Sequence, residues 1–407
     1  MRSRFGQYLA VLTFLLLSFT NPSAWAGIPQ QEGIDSNRVA PSVSFVEWTD
    51  IHLGSDKTDL GLWDKAFQQG LNDDLASFYV LCGDMVDNKD ADQAAFNKRV
   101  DDFSEKYLRT MVDRCDPVIL TCGNNDFYIN YSTDPNNMRP TLESWKKAMG
   151  RQYYLDDLGN GVYPKHFGGL TWISMNSLIF CTKNSCDPAI LKEQRQRTLA
   201  WIEKALNKVP VRSTAVIVCH VPPCIDAYDH KEMWDKDSMR TFRNILSRTS
   251  CNVVILSGHT HRNELHAIYI NEAETVPVIV AGSISQKYGY KANYRRHIWE
   301  FDHQTGCPNR LSWNLYYVGE PLNDGCDTVE MPTFPQTWLD FMHSLATQNR
   351  TYYPYIHDFY SGSDDWYKLS QQSELRSKLV QEVLVTRPSN AVEVKLEAAD
   401  EEVVVGK

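Results

Sequence analysis

The sequence predicts an α/β fold, and three observations predict it. Short β-rich apolar runs alternate with amphipathic helical stretches, five of those runs end in a polar cluster, and the later runs follow one another with no helical pattern between them. Residues 43–49, 78–82, 118–122, 170–175, 215–219 and 253–256 read as buried strands, each a short run rich in β-branched or aromatic residues. Between them 60–75, 92–112, 189–206 and 237–248 carry helical spacing with charged faces; Leu199, Ile202 and Leu206, for instance, share one side. The stretches 265–270, 276–281, 298–301 and 311–317 then read as consecutive strands, which predicts a mixed sheet that ends antiparallel.

Composition sets the frame for these elements. With 407 residues, of which 43% are apolar, 23% charged and 12% aromatic, a large packed core is expected, and disorder or fibrous repeats are excluded as descriptions of the whole. Arg2 and Arg4 precede an apolar run at 9–19, and Ala24-Trp25-Ala26 supplies small residues at a cleavage site, so residues 1–26 are expected to be an export signal. The apolar run is too short to span a bilayer comfortably, and no stable membrane span is expected elsewhere. Export would place the protein in a periplasmic or extracellular space, or in a lysosomal or vacuolar one in a eukaryotic host.

The formal charge of −10 becomes more negative once the two arginines of the signal are removed, so no nucleic-acid partner is implied. Phosphate chemistry would need a local cationic site such as bound metal. Ten cysteines in an oxidising compartment permit disulfides, with Cys181–Cys186 and Cys307–Cys326 the expected pairs in turn-rich sequence. Cys82, Cys122, Cys219 and Cys251 fall in or beside strands and read as small buried hydrophobes. A catalytic body over 40–320 is expected, followed by a helical extension over 326–387 and a mobile acidic tail over 388–407.

The polar clusters are Asp50-Ile51-His52, Gly83-Asp84, Gly123-Asn124-Asn125-Asp126, Cys219-His220 and Gly258-His259-Thr260-His261. Taken singly each is weak, because a strand-end Asp can cap the next helix and a lone His is usually structural. Their recurrence is the signal: side chains just beyond the carboxyl ends of adjacent strands converge on one crevice. Two adjacent divalent cations need nitrogen and oxygen donors plus a shared carboxylate that offsets their repulsion, and Asp84 is the natural bridge. His166, His230, His266, His297, His303, His343 and His357 belong to no cluster and read as structural or surface residues.

This ordered set of D-x-H, G-D, G-N-x-D, a strand-terminal H and G-H-T-H resembles the signature of the calcineurin-like metallophosphoesterases. Ile173 to Ser177, Cys219 to Pro223 and Gly258 to Glu264 are most similar to acid sphingomyelinase-like phosphodiesterases and endopolyphosphatases. The resemblance implies a four-layer αββα sandwich of two mixed sheets. It implies one metal held by Asp50, His52, Asp84 and His261, and a second held by Asp84, Asn124, His220 and His259. Zinc is the metal the subgroup implies, with manganese or iron as alternatives. The reaction it implies is attack of a metal-bridging hydroxide on a phosphodiester or phosphoanhydride, with a small-molecule, lipid or polyphosphate substrate. A phosphomonoesterase of the same fold is the alternative, and a metal-binding protein without turnover is a further one.

The sequence departs from that pattern at two places. Asn125 stands where most of the superfamily has a histidine near the leaving oxygen, and Asn88 stands where sphingomyelinase-like relatives carry another. An amide cannot act as a general acid, but Asn125 is expected to contact the phosphoryl group together with the catalytic and metal-ligating His220. Tyr128 and His166 are the candidate substitutes as proton donor. Tyr288, Tyr290, Tyr294 and Arg295 fall where the resembled phosphodiesterases place loop residues close to substrate.

Overall fold

A computed structural model describes residues 42–114, 117–163, 169–211, 213–226, 231–271, 274–301, 308–318, 326–330 and 385–386. The expected export signal at 1–26, the acidic tail at 388–407, His166 and Cys307 lie outside the described residues.

Among the described residues thirteen strands form two mixed sheets. The first comprises β1 (Ser42–Trp48), β2 (Tyr79–Leu81), β3 (Val118–Leu120), β10 (Asn293–Phe301), β11 (Pro308–Tyr317) and β12 (Cys326–Glu330), in the order β12-β11-β10-β1-β2-β3. The second comprises β4 (Gly161–Val162), β5 (Thr171–Ser174), β6 (Thr214–Val218), β7 (Asn252–Ser257), β8 (Glu264–Asn271), β9 (Glu274–Val280) and β13 (Val385–Thr386), in the order β13-β8-β9-β7-β6-β5-β4. β1 to β3 run parallel, as do β5 to β7, whereas β10 to β12 add antiparallel strands to the first sheet. The sheets are therefore mixed, as the sequence predicts.

Strand alternation explains the layers. Phe45 and Phe78 of the first sheet's side meet Trp172 of β5 edge-on at 5.2 and 5.0 Å, and Trp299 of β10 stacks on Trp172 at 6.3 Å, so these rings fill the space between the sheets. Val46 and Trp48, one residue away, face outward into the cluster shared with Trp63 and Phe67 of α1 (Leu60–Leu71).

The other helices are α2 (Gln93–Phe103), which runs through a π-turn at Ser104–Leu108 into α3 (Arg109–Asp113), α4 (Pro135–Met149), α5 (Pro188–Leu206) and α6 (Lys236–Leu246). Asp59, Asp92, Asp134, Asp187 and Asp235 cap α1, α2, α4, α5 and α6, each accepting a backbone N–H of the first turn. Proline at the start of α4 and α5 fits because that position has no intrahelical bond to lose.

Three expectations are corrected. Helix α4 was not anticipated, since Pro140 interrupts its pattern, although eight of its residues are buried. Cys326 opens a strand that pairs with β11, so the sheet continues into the segment expected to begin a helical extension; beyond β12 and β13 that segment lies outside the described residues. Cys181 and Cys186 are free thiols, not a disulfide: both are buried, one closing a 3-10 turn and the other just before α5. The four strand-associated cysteines are free and buried, as small hydrophobes are.

Candidate metal centre

Every polar cluster lies just past the carboxyl end of a parallel strand: Asp50 and His52 after β1, Asp84 after β2, Asn124 and Asn125 after β3, His220 after β6, and His259 and His261 after β7. The backbone there is unusual. Of the eight non-glycine residues described with positive φ, five are Asp50, His52, Asp84, His259 and His261, with φ between 50° and 76°. Left-handed backbone costs a non-glycine residue about 1–2 kcal/mol. Its concentration at these five positions marks a site whose geometry is imposed by the surrounding fold.

Neighbouring glycines make the close approach possible. A Cβ on Gly123 would overlap the backbone nitrogen and carboxylate of Asp84, and one on Gly83, whose φ is +92°, would stand 2.6 Å from His220 Nδ1. Both glycines therefore sit where a side chain would expel a cluster residue.

The structure brings all seven sequence-predicted donors together. Asp84 Oδ2 lies 3.5 Å from His52 Nε2 and 3.3 Å from His220 Nε2, between the two imidazoles as a bridge requires. His261 Nε2 is 3.3 Å from Asp50 Oδ1 and 3.2 Å from His52 Nε2. His220 Nε2 is 3.2 Å from Asn124 Oδ1 and 3.3 Å from His259 Nδ1. Donors around one ion at bond lengths of about 2.0–2.2 Å lie roughly 3–3.6 Å apart, so these spacings fit metal.

Among the described residues, Asp50 with His52 and His261, and Asp50 with Asp84 and His220, form two carboxylate–imidazole groups whose donor atoms all lie within 4.8 Å of one another. Asp50 Oδ2 accepts from Thr49 Oγ1 at 2.7 Å and from the His259 amide at 2.8 Å, while Oδ1 is buried with no hydrogen-bond partner and faces the imidazoles. An unpartnered buried carboxylate oxygen is costly unless a cation occupies its front.

Surrounding groups fix the orientation of the donors. His220 Nδ1 donates to the Cys82 carbonyl at 2.7 Å, which turns Nε2 toward the cluster, and His52 Nδ1 lies 3.2 Å from Asp87 Oδ2. Asn124 Nδ2 donates to Asn130 Oδ1 at 3.0 Å, so its oxygen points at His220. Asp126 is fully buried and accepts the backbone N–H groups of Gly123, Asp84, Met85 and Val86, binding the two loops together. Asp87, Asn130 and Asp126 were absent from the sequence-predicted site. Asp126 lies inside the quoted G-N-N-D motif, and Asp87 follows the bridging Asp84 by three residues.

Electrostatics divides the imidazoles. Burial works against a charge on His52 and His220, but the carboxylates around them prevail and raise both to about 9. Burial and neighbouring imidazolium charge lower His259 to about 3 and His261 to about 4. Asp50 and Asp84 are held far below the ordinary carboxylate range: burial alone would raise them, and the imidazoles outweigh it.

Other expectations need correction. The Asn125 amide is not directed outward: its Nδ2 donates to Asp84 Oδ2 at 2.6 Å and its backbone N–H to Oδ1 at 2.7 Å, so it grips the bridging carboxylate. Asn88 donates to the Phe127 carbonyl at 2.8 Å and is structural. Tyr128 packs on Phe96 with ring centroids 6.0 Å apart, and among the described residues no contact joins it to the donors. Tyr294 and Arg295 are not loop residues, because β10 begins at Asn293, five residues earlier than anticipated. Tyr294 stacks on Tyr316, and the buried Arg295 donates to Asn263 Oδ1 and the Val280 carbonyl.

Tyr288 does reach the site, its ring 5.3 Å from that of His261, and Tyr290 stands one step farther out, accepting from Arg262 Nε at 2.6 Å. Sequence reasoning missed Tyr131, whose hydroxyl is 3.4 Å from His259 Nε2; it lies in the unanticipated turn before α4, where nothing in the pattern marks it.

Convergent imidazoles and carboxylates at the strand ends of an αββα sandwich, all buried except the partly exposed His259, make a candidate metal centre with two ligand groups. A profile of the calcineurin-like phosphoesterases matches residues 44–263, more than half of the chain. The chain belongs to that family, and its fold and site are those of a metal-dependent phosphoesterase. It is also 23% identical over 192 residues to the sphingomyelinase phosphodiesterase D of Dictyostelium discoideum, a match covering 45% of this chain and 44% of that protein. The chain thus aligns with less than half of that relative's length. Among the described residues no helix is long and apolar enough to cross a membrane.

Proposed function

We propose that this protein is an exported hydrolase that cleaves phosphodiester or phosphoanhydride bonds of small phosphorylated molecules, with zinc as its metal. The observation that carries the reading is the bridging position of Asp84 Oδ2, 3.5 and 3.3 Å from imidazoles of two separate strand ends. Asp50, His52, Asp84 and His261 would hold one ion, and Asp84, Asn124, His220 and His259 the other. Two divalent ions held there would supply Lewis acidity toward phosphoryl oxygens and would activate water as a nucleophile.

The residues of the chain do the remaining work. Asn125 and Asp126 hold Asp84 and its loop, Asp87 orients His52, and the Cys82 carbonyl orients His220. With amides at positions 88 and 125, neither usual proton donor is present, which favours a leaving group that departs without protonation, such as phosphate or an acidic alcohol. The phosphodiesterase name of the Dictyostelium relative supports the diester side of the reading.

Parallel assays on a phosphodiester, a phosphomonoester, a nucleoside triphosphate, polyphosphate and sphingomyelin test it. Turnover of a diester or anhydride at least tenfold above the monoester is expected. Preference for the monoester, or no turnover on any of the five, would contradict it. Replacement of Asn125 by His sharpens the leaving-group argument: the variant is expected to depend steeply on pH and leaving-group pKa, and the parent weakly.

A further inference from the structure

The mouth of the metal centre carries two matching side-chain brackets, one beside each histidine of the G-H-T-H segment. Tyr131 stands edge-on to His259 with ring centroids 6.0 Å apart at 88°, and Tyr288 stands edge-on to His261 at 5.3 Å and 76°. Both tyrosines have left-handed backbone, φ 55° and 67°, a conformation uncommon for a bulky residue. Each ring carries an ammonium over its face: Lys183 Nζ lies 5.7 Å from the Tyr131 centroid, and Lys287 Nζ lies 5.7 Å from that of Tyr288. The brackets come from opposite sides, Tyr131 and Lys183 from loops of the α4 and α5 side and Tyr288 and Lys287 from the β9–β10 loop.

The two lysines are set apart by their place beside the G-H-T-H histidines. Lys98, Lys106, Lys147 and Lys236 are each paired with a carboxylate, whereas among the described residues neither Lys183 nor Lys287 forms an ion pair. An ammonium held on an aromatic face keeps its charge while remaining free to leave that face for a better partner. Two such groups at the rim of a cationic centre, in a protein of net charge −10, are placed to receive anions.

We propose that Tyr131–Lys183 and Tyr288–Lys287 form an anion subsite that selects substrates carrying a further phosphate or comparable anionic group next to the scissile phosphorus. The proposal rests on the phosphoesterase reading above and narrows its substrate class. Tyrosine acts as a positioning residue, presenting the ammonium, and lysine makes the charge-assisted contact to the second anion. A zwitterionic phosphocholine headgroup would place its quaternary ammonium against these lysines, which disfavours it. The second anion can belong to a phosphoanhydride chain or to a phosphorylated organic group, and the substrates below separate them.

The test uses the full chain purified without chelator. Calorimetric titration with methylenediphosphonate and with methylphosphonate compares the parent with the Lys183→Met/Lys287→Met double variant and with Lys183→Arg/Lys287→Arg. The Met variant is expected to weaken diphosphonate binding at least about tenfold more than methylphosphonate binding, and the Arg variant to restore it to within about threefold. Equal weakening of both ligands, or no change in either, overturns the proposal.

A kinetic arm reads kcat/KM on inorganic tripolyphosphate, ATP, bis(p-nitrophenyl) phosphate and sphingomyelin. Selective loss on tripolyphosphate alone assigns the subsite to phosphoanhydride chains, and loss on ATP as well extends it to nucleotides. Parent preference for sphingomyelin, unaffected by the lysines, overturns the proposal. Absence of turnover on bis(p-nitrophenyl) phosphate counts against the phosphoesterase reading alone, because the calorimetric comparison still decides the subsite.

Discussion

Two clusters of buried imidazole and carboxylate occupy the same sandwich and are wired differently. Between the sheets, His297 Nε2 meets Glu47 Oε2 at 2.7 Å, Glu47 Oε1 accepts from Cys82 Sγ at 3.1 Å, and Trp299 Nε1 donates to His297 Nδ1 at 3.3 Å. All four groups are fully buried, and His297 stacks on Phe45 at 4.5 Å. At the strand ends, by contrast, ring nitrogen faces ring nitrogen: His52 Nε2 and His261 Nε2 are 3.2 Å apart, and Asp50 Oδ1 has no hydrogen-bond partner. The first cluster is closed by its own hydrogen bonds; the second is complete only with cations. Burial and residue type do not separate them, and the direction of the lone pairs does.

That contrast is broken most sharply by replacing one member of each cluster. Asp84→Asn is expected to lower turnover by at least about 10²- to 10³-fold and to reduce the bound metal, measured by steady-state kinetics and elemental analysis, while leaving the folded baseline intact. Glu47→Ala is expected to leave metal content unchanged and to cost about 3–5 kcal/mol of stability in chemical denaturation, because His297 and Cys82 lose their buried partner. Metal loss in the Glu47 variant, or an unchanged Asp84 variant, would erase the distinction.

Protonation sharpens it further. In metal-free protein at pH 7.5, His52 and His220, raised to about 9, carry protons, whereas His259 and His261, lowered to about 3 and 4, do not. Metal binding must therefore expel two protons, so affinity is expected to rise about 100-fold per pH unit up to about pH 9 and then level off. Calorimetry in buffers of different ionisation heat counts those protons; none released would contradict the assigned ligands. The smallest effect is expected at the orienting carboxylate, where Asp87→Asn should weaken metal binding about 10- to 100-fold in a competition titration with a chelating dye.

The strand-end donors were legible in the sequence because each follows an apolar run and strand topology dictates where run ends meet. His266 and His297 were read as structural because neither belongs to a strand-end cluster, and His266 indeed closes on Glu264 at 2.8 Å. What escaped depended on where a strand begins or how a loop folds. Arg295 looks like a loop cation, but β10 starts at Asn293 and buries it against Trp313, with the guanidinium 4.8 Å from the ring. Tyr131 looks like any loop tyrosine until α4, capped by Asp134 despite Pro140, fixes the turn that sets its hydroxyl beside His259. Asn125 was read as a substrate contact because side-chain chemistry is visible in sequence, whereas the turn from Gly123 to Asp126 that lays its amide on Asp84 is not.

The central claim is that the strand-end cluster holds two divalent ions on which turnover depends. Protein stripped by chelator and dialysed should be inactive on a phosphodiester, and stepwise addition of zinc should restore turnover with a break at two equivalents per chain, a stoichiometry lost in Asp84→Asn. Full activity in demonstrably metal-free protein, or the same two-equivalent break in the Asp84 variant, would contradict it.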